Sequence, residues 1–273
     1  MNKINVTKMQ GLGNDFVIVD YCEYEKSGLP MDELAKKLCD RNFGIGADGM
    51  IIPALCTKDA DIGWFFYNSD GSTAQMCGNG IRCFAKYVYD RKLVNSKKFS
   101  VSTLAGIIIP EILEDGQVKV NMSKPRGECT KNNLKIKGRI FETNIVSMGN
   151  PHCVIFVDTD EDLLELAKTY GPEIEKHELF PEKTNVEFAK IISKNEIDLR
   201  VFERGCGITL ACGTGACATV VAAVLNNLTE GKVKVNLLGG ALTIEWQGFS
   251  DNTDFDVFMS GPAQYSFLAE YLL

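Results

Sequence analysis

The sequence predicts an α+β protein made of two pseudo-symmetric halves. Each half is a curved, mostly antiparallel β-sheet wrapped around a central buried helix. Three observations carry this. Two stretches of one design lie far apart: Asn68–Val88, where Cys77-Gly-Asn-Gly opens a helical run, and Phe202–Val224, where Cys212-Gly-Thr-Gly opens another. Other segments repeat at nearly the same distance: Gly13-Asn14 with Gly149-Asn150 (136 positions), Cys77 with Cys212 (135), and Met122-Ser123-Lys124-Pro125 with Met259-Ser260-Gly261-Pro262 (137). A solenoid repeat would be ~20–50 residues, so an offset of half the chain means two like-folded halves. Between these landmarks, short apolar strands dominate and helices are few. The halves are read as residues 1–124, completed by the tail 263–273, and 125–262. Facing each other, they would bring two helix mouths, each with a cysteine, to one cleft.

The elements follow from local pattern. Ile4–Met9 alternates as a strand, and Phe16–Asp20 is a denser strand after the Gly11–Asn14 turn. Asp32–Cys39 reads as a short helix with Leu34, Ala35 and Leu38 on one face. The loop Gly44-Ile-Gly46-Ala-Asp-Gly49 formally spells G-x-G-x-x-G. A dinucleotide site needs a strand before it and a helix after it; here the order is reversed, before the strand Met50–Ile52. Ile62–Tyr67 feeds the first cysteine loop, and Ile81, Phe84, Ala85 and Val88 recur at helical spacing behind it. Strands at Phe99–Thr103, Ile107–Leu113 and Val118–Met122 follow, the last two joined by the hairpin signal Asp115-Gly116. The change-over between halves falls near Lys124–Asn133. Strands are then expected near Ile140–Ser147, Val154–Asp158 and Val186–Ile192, with a helix at Glu161–Tyr170. Asp198–Phe202 feeds the second cysteine loop. The run Ala216–Leu225 has no polar face except Thr219, so it reads as a helix buried on all sides. Val233–Leu237, Ala241–Trp246 and Phe255–Met259 complete the strands.

Composition excludes several functions. A net charge of −7 over 273 residues argues against nucleic-acid or anionic-membrane partners. The start, Met1–Gly13, has no apolar run of signal-peptide type, and no segment approaches the ~18 apolar residues of a membrane span. The ten cysteines are scattered without a C-x-x-C pair, which suits thiols in a reducing cytoplasm.

A cysteine is most often a small buried hydrophobe, and Cys22, Cys39, Cys56, Cys83, Cys129, Cys153, Cys206 and Cys217 are read so. Cys77 and Cys212 differ, because each opens a glycine-flanked helix at the same place in its half. A helix mouth favours anions and can lower a thiol's pKa, and the glycines would let a ligand press against backbone. Only two histidines exist and no close-spaced second ligand accompanies either cysteine, so no metal is expected. Two thiols across a small cleft, without an electron-sink cofactor, suit one reaction class. One thiolate takes a proton from carbon and the opposite thiol returns one on the other face. Converging helix N-termini would stabilise the developing carbanion through the substrate carboxylate. A cysteine hydrolase using Cys212 or Cys77 with His152 is the second reading, but it leaves one duplicated cysteine unexplained. A non-enzymatic thiol redox or binding module is a third.

The stretches Lys8-Met-Gln-Gly-Leu-Gly-Asn-Asp-Phe16, Met76-Cys-Gly-Asn-Gly-Ile-Arg-Cys83, Met148-Gly-Asn-Pro-His-Cys-Val154, Thr184-Asn-Val-Glu187 and Glu203–Ala216 carry a family resemblance. Over essentially its whole length the chain resembles the diaminopimelate epimerases, cofactor-independent enzymes of bacterial and plant lysine synthesis. The resemblance implies interconversion of LL- and meso-diaminopimelate, a diamino diacid, by a cytoplasmic homodimer, with Cys77 and Cys212 as the acid/base pair. It implies backbone donors to the reacting carboxylate at Gly78-Asn79 and Gly213-Thr214, and substrate contacts at Asn14, Asn68, Asn150, Asn185, Glu203 and Arg204. His152 and Glu203 match positions that tune the cysteines. Proline racemase and its relatives keep the paired cysteine loops, so a related amino-acid racemase is the nearest alternative. One departure is Gly49, where some members carry Gln; a side-chain contact there must be absent or made by backbone.

Overall fold

The computed structural model describes residues 3–54, 59–158, 160–249 and 252–273, without the side chains of 127–129. In chain order the elements are β1 (Lys3–Gly11), β2 (Asn14–Ile18), α1 (Tyr21–Ser27), α2 (Met31–Cys39), β3 (Gly49–Ala54), β4 (Ile62–Asn68), α3 (Gly78–Asp90), β5 (Val101–Thr103), β6 (Gly106–Ile108), β7 (Pro110–Ile112) and β8 (Val118–Asn121). They continue with β9 (Arg126–Ile136), β10 (Arg139–Ser147), β11 (Pro151–Phe156), α4 (Leu163–Glu175), β12 (Asn185–Ser193), β13 (Glu196–Glu203), β14 (Gly207–Ile208), α5 (Gly213–Leu225), β15 (Lys232–Leu237), β16 (Gly240–Glu245), β17 (Phe258–Gly261) and β18 (Gln264–Leu272). The chain forms two compact units, Met1–Val120 with Gly261–Leu273, and Asn121–Ser260.

The first unit holds the sheet β18-β1-β2-β3-β4-β5-β6 and the β7–β8 hairpin. Within the second the order is β9-β10-β11-β12-β13-β15-β16-β17, with β14 on β13. Pairing is antiparallel except at β2–β3 and β4–β5 in one unit and at β11–β12 and β13–β15 in the other. Parallel neighbours cannot be joined by a tight turn and need a crossover. Those crossovers are helices: α1–α2 and α3 in the first unit, α4 and α5 in the second. The fold is therefore α+β and pseudo-symmetric, strand for strand. Beside β1 stands β18, as β9 stands beside β10.

The middle strands of each sheet are covered on both faces, and side-chain alternation decides what each helix meets. Val17, Val19, Met50 and Ile52 pack with Leu34 and Leu38 of α2, whereas Phe16 lies under Gly80 of α3. In the second unit Cys153, Ile155, Val186 and Phe188 pack with Leu166 and Ile174 of α4. Their alternate neighbours His152, Val154 and Glu187 therefore face α5. As its all-apolar sequence requires, α5 is buried continuously from Gly215 to Ala223.

Most expected elements form within a few residues of their expected bounds, and the differences have causes. The run Ile107–Leu113 is two strands, because Pro110 has no N–H to continue the ladder. The Asp115-Gly116 turn forms, with Gly116 at φ 80° and Leu113 N–H donating to the Gln117 carbonyl. The helix expected to stop at Tyr170 runs on through Pro172 to Glu175, carried by burial of Ile174 and Phe180. The change-over at Lys124–Asn133 is largely strand β9, whose polar residues suit the end of a sheet order. Helix α1 lies outside the expected set; it is short and charged, and left-handed Gly28 ends it. The Gly44–Gly49 loop follows a helix and enters a strand, as read, and a Cβ on Gly44 would lie 2.2 Å from the Lys37 carbonyl. Its glycines serve a tight turn.

Candidate active site

In the first unit Cys77 is the N-cap of α3, and its sulfur accepts the Gly80 N–H at 3.4 Å. The β1–β2 turn, with Leu12 and Gly13 both at positive φ, carries Asn14 up to it. Asn14 Oδ1 accepts from Cys77 Sγ at 3.6 Å and from Asn79 Nδ2 at 3.2 Å, while its Nδ2 donates to Asp48. Behind this lies a charged cluster. Arg41 bridges Asp15 and Asp48 at 2.9 and 2.7 Å, and Lys8 reaches Asp15 at 2.7 Å. Burial acts to raise the Asp15 carboxyl, but Arg41 and Lys8 outweigh it and hold it at about 2. Asn79 is itself oriented by Arg82, a fully buried guanidinium that also donates to the carbonyls of Gly78 and Pro262.

In the second unit Cys212 caps α5, nearly buried, 3.7 Å from Thr214 Oγ1. The β10–β11 turn, with Gly149 at φ 98°, brings up Asn150, whose Nδ2 donates to Thr214 Oγ1 at 3.3 Å. Asn150 Oδ1 meets Nε2 of His152 at 3.1 Å, and His152 Nδ1 meets Glu187 Oε1 at 2.7 Å. Glu203 accepts from Thr209 and lies against the Cys212 thiol.

Electrostatics in this unit oppose the expectation of an acidified thiol. Burial pushes Cys212 well up, and the carboxyls of Glu203 and Glu187 add to it; the Gly215 N–H and Thr214 hydroxyl act the other way. The helix mouth loses to desolvation, and Cys212 rests as a thiol. Burial likewise raises Glu203 and Glu187. Cys39 and Cys83 are pushed up to about 12 by burial, and Cys153 is raised further. Cys39, Cys83, Cys153 and Cys217 are buried as read, but Cys22 and Cys206 are exposed. Both sit on short charged or turn segments without a second layer above them. Cys56 and the Cys129 side chain lie outside the described residues.

The other expected residues sit close to these caps in sequence or in register. Asn68 ends β4 opposite Gly49, and its amide holds Ser72 Oγ at 2.9 Å. Asn185, nearly buried, donates to the Pro151 carbonyl and accepts the Arg204 N–H, both at 3.0 Å. Arg204 is exposed, with Nη1 on the Glu182 carbonyl. Gly78, Gly213 and Thr214 belong to the first turns of the two helices and are partly exposed. The loop glycines are small for a reason other than ligand approach. A Cβ on Gly213 would stand 3.0 Å from Met259 Sδ, and one on Gly215 would stand 2.8 Å from Glu187 Oε1. Gly49 is walled in: a Cβ there would stand 2.7 Å from both the Phe66 ring and the Tyr67 carbonyl. No side chain at position 49 can act there. Residues that sequence reasoning passed over are Arg82, Asp48 and Glu187. Arg82 offered a signal, one turn along the helix from Gly78. Among the described residues no three His, Cys, Asp or Glu side chains gather to hold a metal, and no helix is long and apolar enough to cross a membrane.

Two like units, each with a cysteine capping its buried central helix and an asparagine turn on that cap, define a class of fold shared with solved structures. A PhzF-family phenazine biosynthesis protein of Bacillus anthracis superposes with a TM-score of 0.75 at 18% identity, covering 100% of both chains. A hydroxyproline epimerase of Agrobacterium vitis gives 0.71 at 12% identity, covering 98% of this chain and 92% of that one. The particular family comes from sequence. The diaminopimelate epimerase family model matches residues 6–127 and 144–266, and the chain belongs to that family. It is 48% identical to the diaminopimelate epimerase of Desulfitobacterium hafniense, over 97% of this chain and 96% of that protein. It is 44% identical to the chloroplastic enzyme of Oryza sativa subsp. japonica, over 97% and 79%. The protein is thus an enzyme of the isomerase class.

Proposed function

We propose that the protein interconverts LL- and meso-2,6-diaminopimelate by two-base proton transfer at one α-carbon, with Cys77 and Cys212 as the two groups. The observation that carries this reading is the matched placement of the cysteines as N-caps of α3 and α5, each with a turn asparagine bonded at its cap. One sulfur, as thiolate, takes the α-proton, and the opposite thiol delivers its own proton to the other face. The C–H electron pair stays on carbon until the second proton arrives, so one proton leaves and one enters per turnover. Backbone N–H groups at Gly78-Asn79 and Gly213-Thr214 are the donors for the reacting carboxylate, whose enolate-like charge they stabilise. Burial and the neighbouring carboxyls favour Cys212 as the thiol at rest, which assigns it the acid's part in one direction of the reaction and the base's in the reverse. Asn68, Asn185, Glu203 and Arg204 are assigned to the substrate's remaining polar groups, with Asn185 acting through the Arg204 backbone that it holds.

No organic cofactor or metal enters this scheme. A cysteine–histidine nucleophile pair in the second unit is disfavoured, because both ring nitrogens of His152 are engaged by Glu187 and Asn150. We place the reaction in lysine and cell-wall precursor synthesis, in the cytoplasm, carried out by a homodimer; sedimentation equilibrium tests the dimer. The decisive experiment is incubation with LL-diaminopimelate in heavy water. Deuterium should enter the α-position as meso product forms, without pyridoxal phosphate and with chelator present. Turnover that requires either addition, or exchange with proline but not diaminopimelate, would overturn the reading.

A further inference from the structure

The two turn asparagines occupy equivalent places but point their amides in opposite senses. Asn14 turns its carbonyl toward Cys77 and Asn79, and the carboxylate of Asp48, which can only accept when ionised, claims its NH2. Asn150 turns its NH2 toward Thr214, and its carbonyl receives His152 Nε2. That second orientation holds only if Nε2 carries a proton.

What puts a proton there is buried behind it. Glu187 is fully buried, with Oε1 on His152 Nδ1 and Oε2 without a hydrogen-bond partner. The sheet registers show how unusual this is. Val154 faces Glu187 where the other unit pairs Ile18 with Ile51, and His152 stands where that unit has Phe16. With one proton between them, on Nδ1, the pair would be a fully buried anion with only the Cys153 backbone N–H beside it in compensation. A buried uncompensated charge is among the costliest arrangements in a protein. With two protons the pair is neutral overall. One proton lies on the Glu187–Nδ1 bond; the other sits on Nε2, where Asn150 Oδ1 accepts it, rather than on Oε2, which has no acceptor.

We infer that Glu187 is a positioning residue for the reaction proposed above: it holds a proton against Nδ1 of His152, so that Nε2 donates to Asn150 and the Asn150 NH2 faces Thr214. The inference rests on that functional reading for its consequence. Thr214 Oγ1, accepting from Asn150, has its own proton left for Cys212 Sγ at 3.7 Å. Every bond along His152–Asn150–Thr214 thus runs toward the sulfur. A donor there matters at the moment Cys212 gives up its proton, when the Glu203 carboxyl opposes the thiolate. Reversing the chain would present lone pairs to the sulfur instead.

The test uses the full-length protein labelled with 15N-histidine; only two histidines exist, and His177→Asn assigns the other. In the wild type at neutral pH, His152 should show a proton on Nε2. Glu187→Gln keeps a donor for Nδ1, so it should retain that proton and a kcat within about threefold. Glu187→Leu removes the donor; Nδ1 should become protonated in part, and kcat should fall about tenfold or more, the scale of one charge-assisted bond, with KM nearly unchanged. A wild-type His152 protonated on Nδ1 alone would overturn the inference. So would a Glu187→Leu protein with intact Nε2–H and full kcat, or a Glu187→Gln protein as impaired as Glu187→Leu. Absence of diaminopimelate turnover in the wild type would refute the functional reading, and the spectra would still decide the proton's place.

Discussion

The same substitution at two equivalent glycines should have opposite signs. Gly80 and Gly215 each stand third in the first turn of a central helix. An ideal Cβ on Gly80 would lie 3.4 Å from both the Phe16 ring and Cys77 Cβ, which is ordinary contact. On Gly215 it would lie 2.8 Å from Glu187 Oε1 and 3.2 Å from Cys212 Sγ. Replacing helical Gly by Ala stabilises by roughly 0.5–1 kcal/mol where space allows, so Gly80→Ala should stabilise its unit by about that. At Gly215, Glu187 cannot swing into water, because it is fully buried and bonded to His152. If it stays, overpacking costs ~1–3 kcal/mol; if it moves, a charge-assisted bond worth ~1.5–3 kcal/mol is lost. After the helix-propensity gain, Gly215→Ala should destabilise by about 1–2 kcal/mol. The two tryptophans make the assay specific, since Trp64 lies buried in one unit and Trp246 in the other. Urea denaturation followed by fluorescence, in Trp64→Phe and Trp246→Phe backgrounds, should separate the two midpoints by about 1 M at slopes of ~1–3 kcal/mol per M. A Gly215→Ala protein as stable as Gly80→Ala would refute the packing argument.

Two further outcomes follow from named groups. Cys77→Ser and Cys212→Ser should each lower epimerisation by about 10²–10⁴-fold, read by α-deuterium incorporation, while either retains elimination of a β-leaving group from an analogue, which needs one base. Near-normal turnover by either variant contradicts the two-base scheme. Asp15, held at about 2 against an ordinary value near 3.8, contributes stability that is present above the ordinary value and lost as pH falls through the lowered one. Asp15→Asn should therefore cost up to about 2 kcal/mol at neutral pH, and its denaturation midpoint should merge with that of the wild type near pH 2.

The sequence disclosed the fold and the paired caps because both are local and repeated. Cys77 and Cys212 precede glycines at helix starts, and their 135-residue spacing needs no tertiary knowledge. What stayed hidden depends on which face of a sheet is covered. Val186-Glu187-Phe188 alternates like a half-exposed strand, so Glu187 reads as solvent-facing. The sheet is in fact covered by α4 on one side and α5 on the other, and alternation drives the carboxylate beneath a helix. The same blindness hid Arg82, which sits on a helix that looks amphipathic yet is buried at that position. The acidity expected of Cys212 failed for a related reason. A helix N-terminus contributes at most ~2 kcal/mol, and full burial beside two carboxyls exceeds it. Neither carboxyl's distance could be read from spacing, since Glu187 is 25 positions away and Glu203 nine.

A duplicated fold poses a question for the two-base reaction proposed above, and the residues that differ between the units bear on it. Two interacting cysteines in identical surroundings would still share one proton over a range of pH, because the first charge raises the second thiol, but neither would be favoured to hold it. In the two-base scheme proposed above, unequal surroundings decide which of the two holds that proton at rest. The sheet registers show where they do. Opposite Gly49 stands Asn68, whereas the equivalent place beside Asn185 holds Glu203. Ile51 of one unit corresponds to Glu187 of the other. Two neutral residues are thus replaced by two carboxyls, both in the unit of Cys212, and both raise that thiol. On the proposed scheme the carboxyls favour the resting proton on Cys212, and the donors His152, Asn150 and Thr214 would assist its release. Substituting Glu203 and Glu187 together by their counterparts, Asn and Ile, would remove the two carboxyls that set Cys212 apart, and on the proposed scheme the loss should fall on the step in which Cys212 acts as acid.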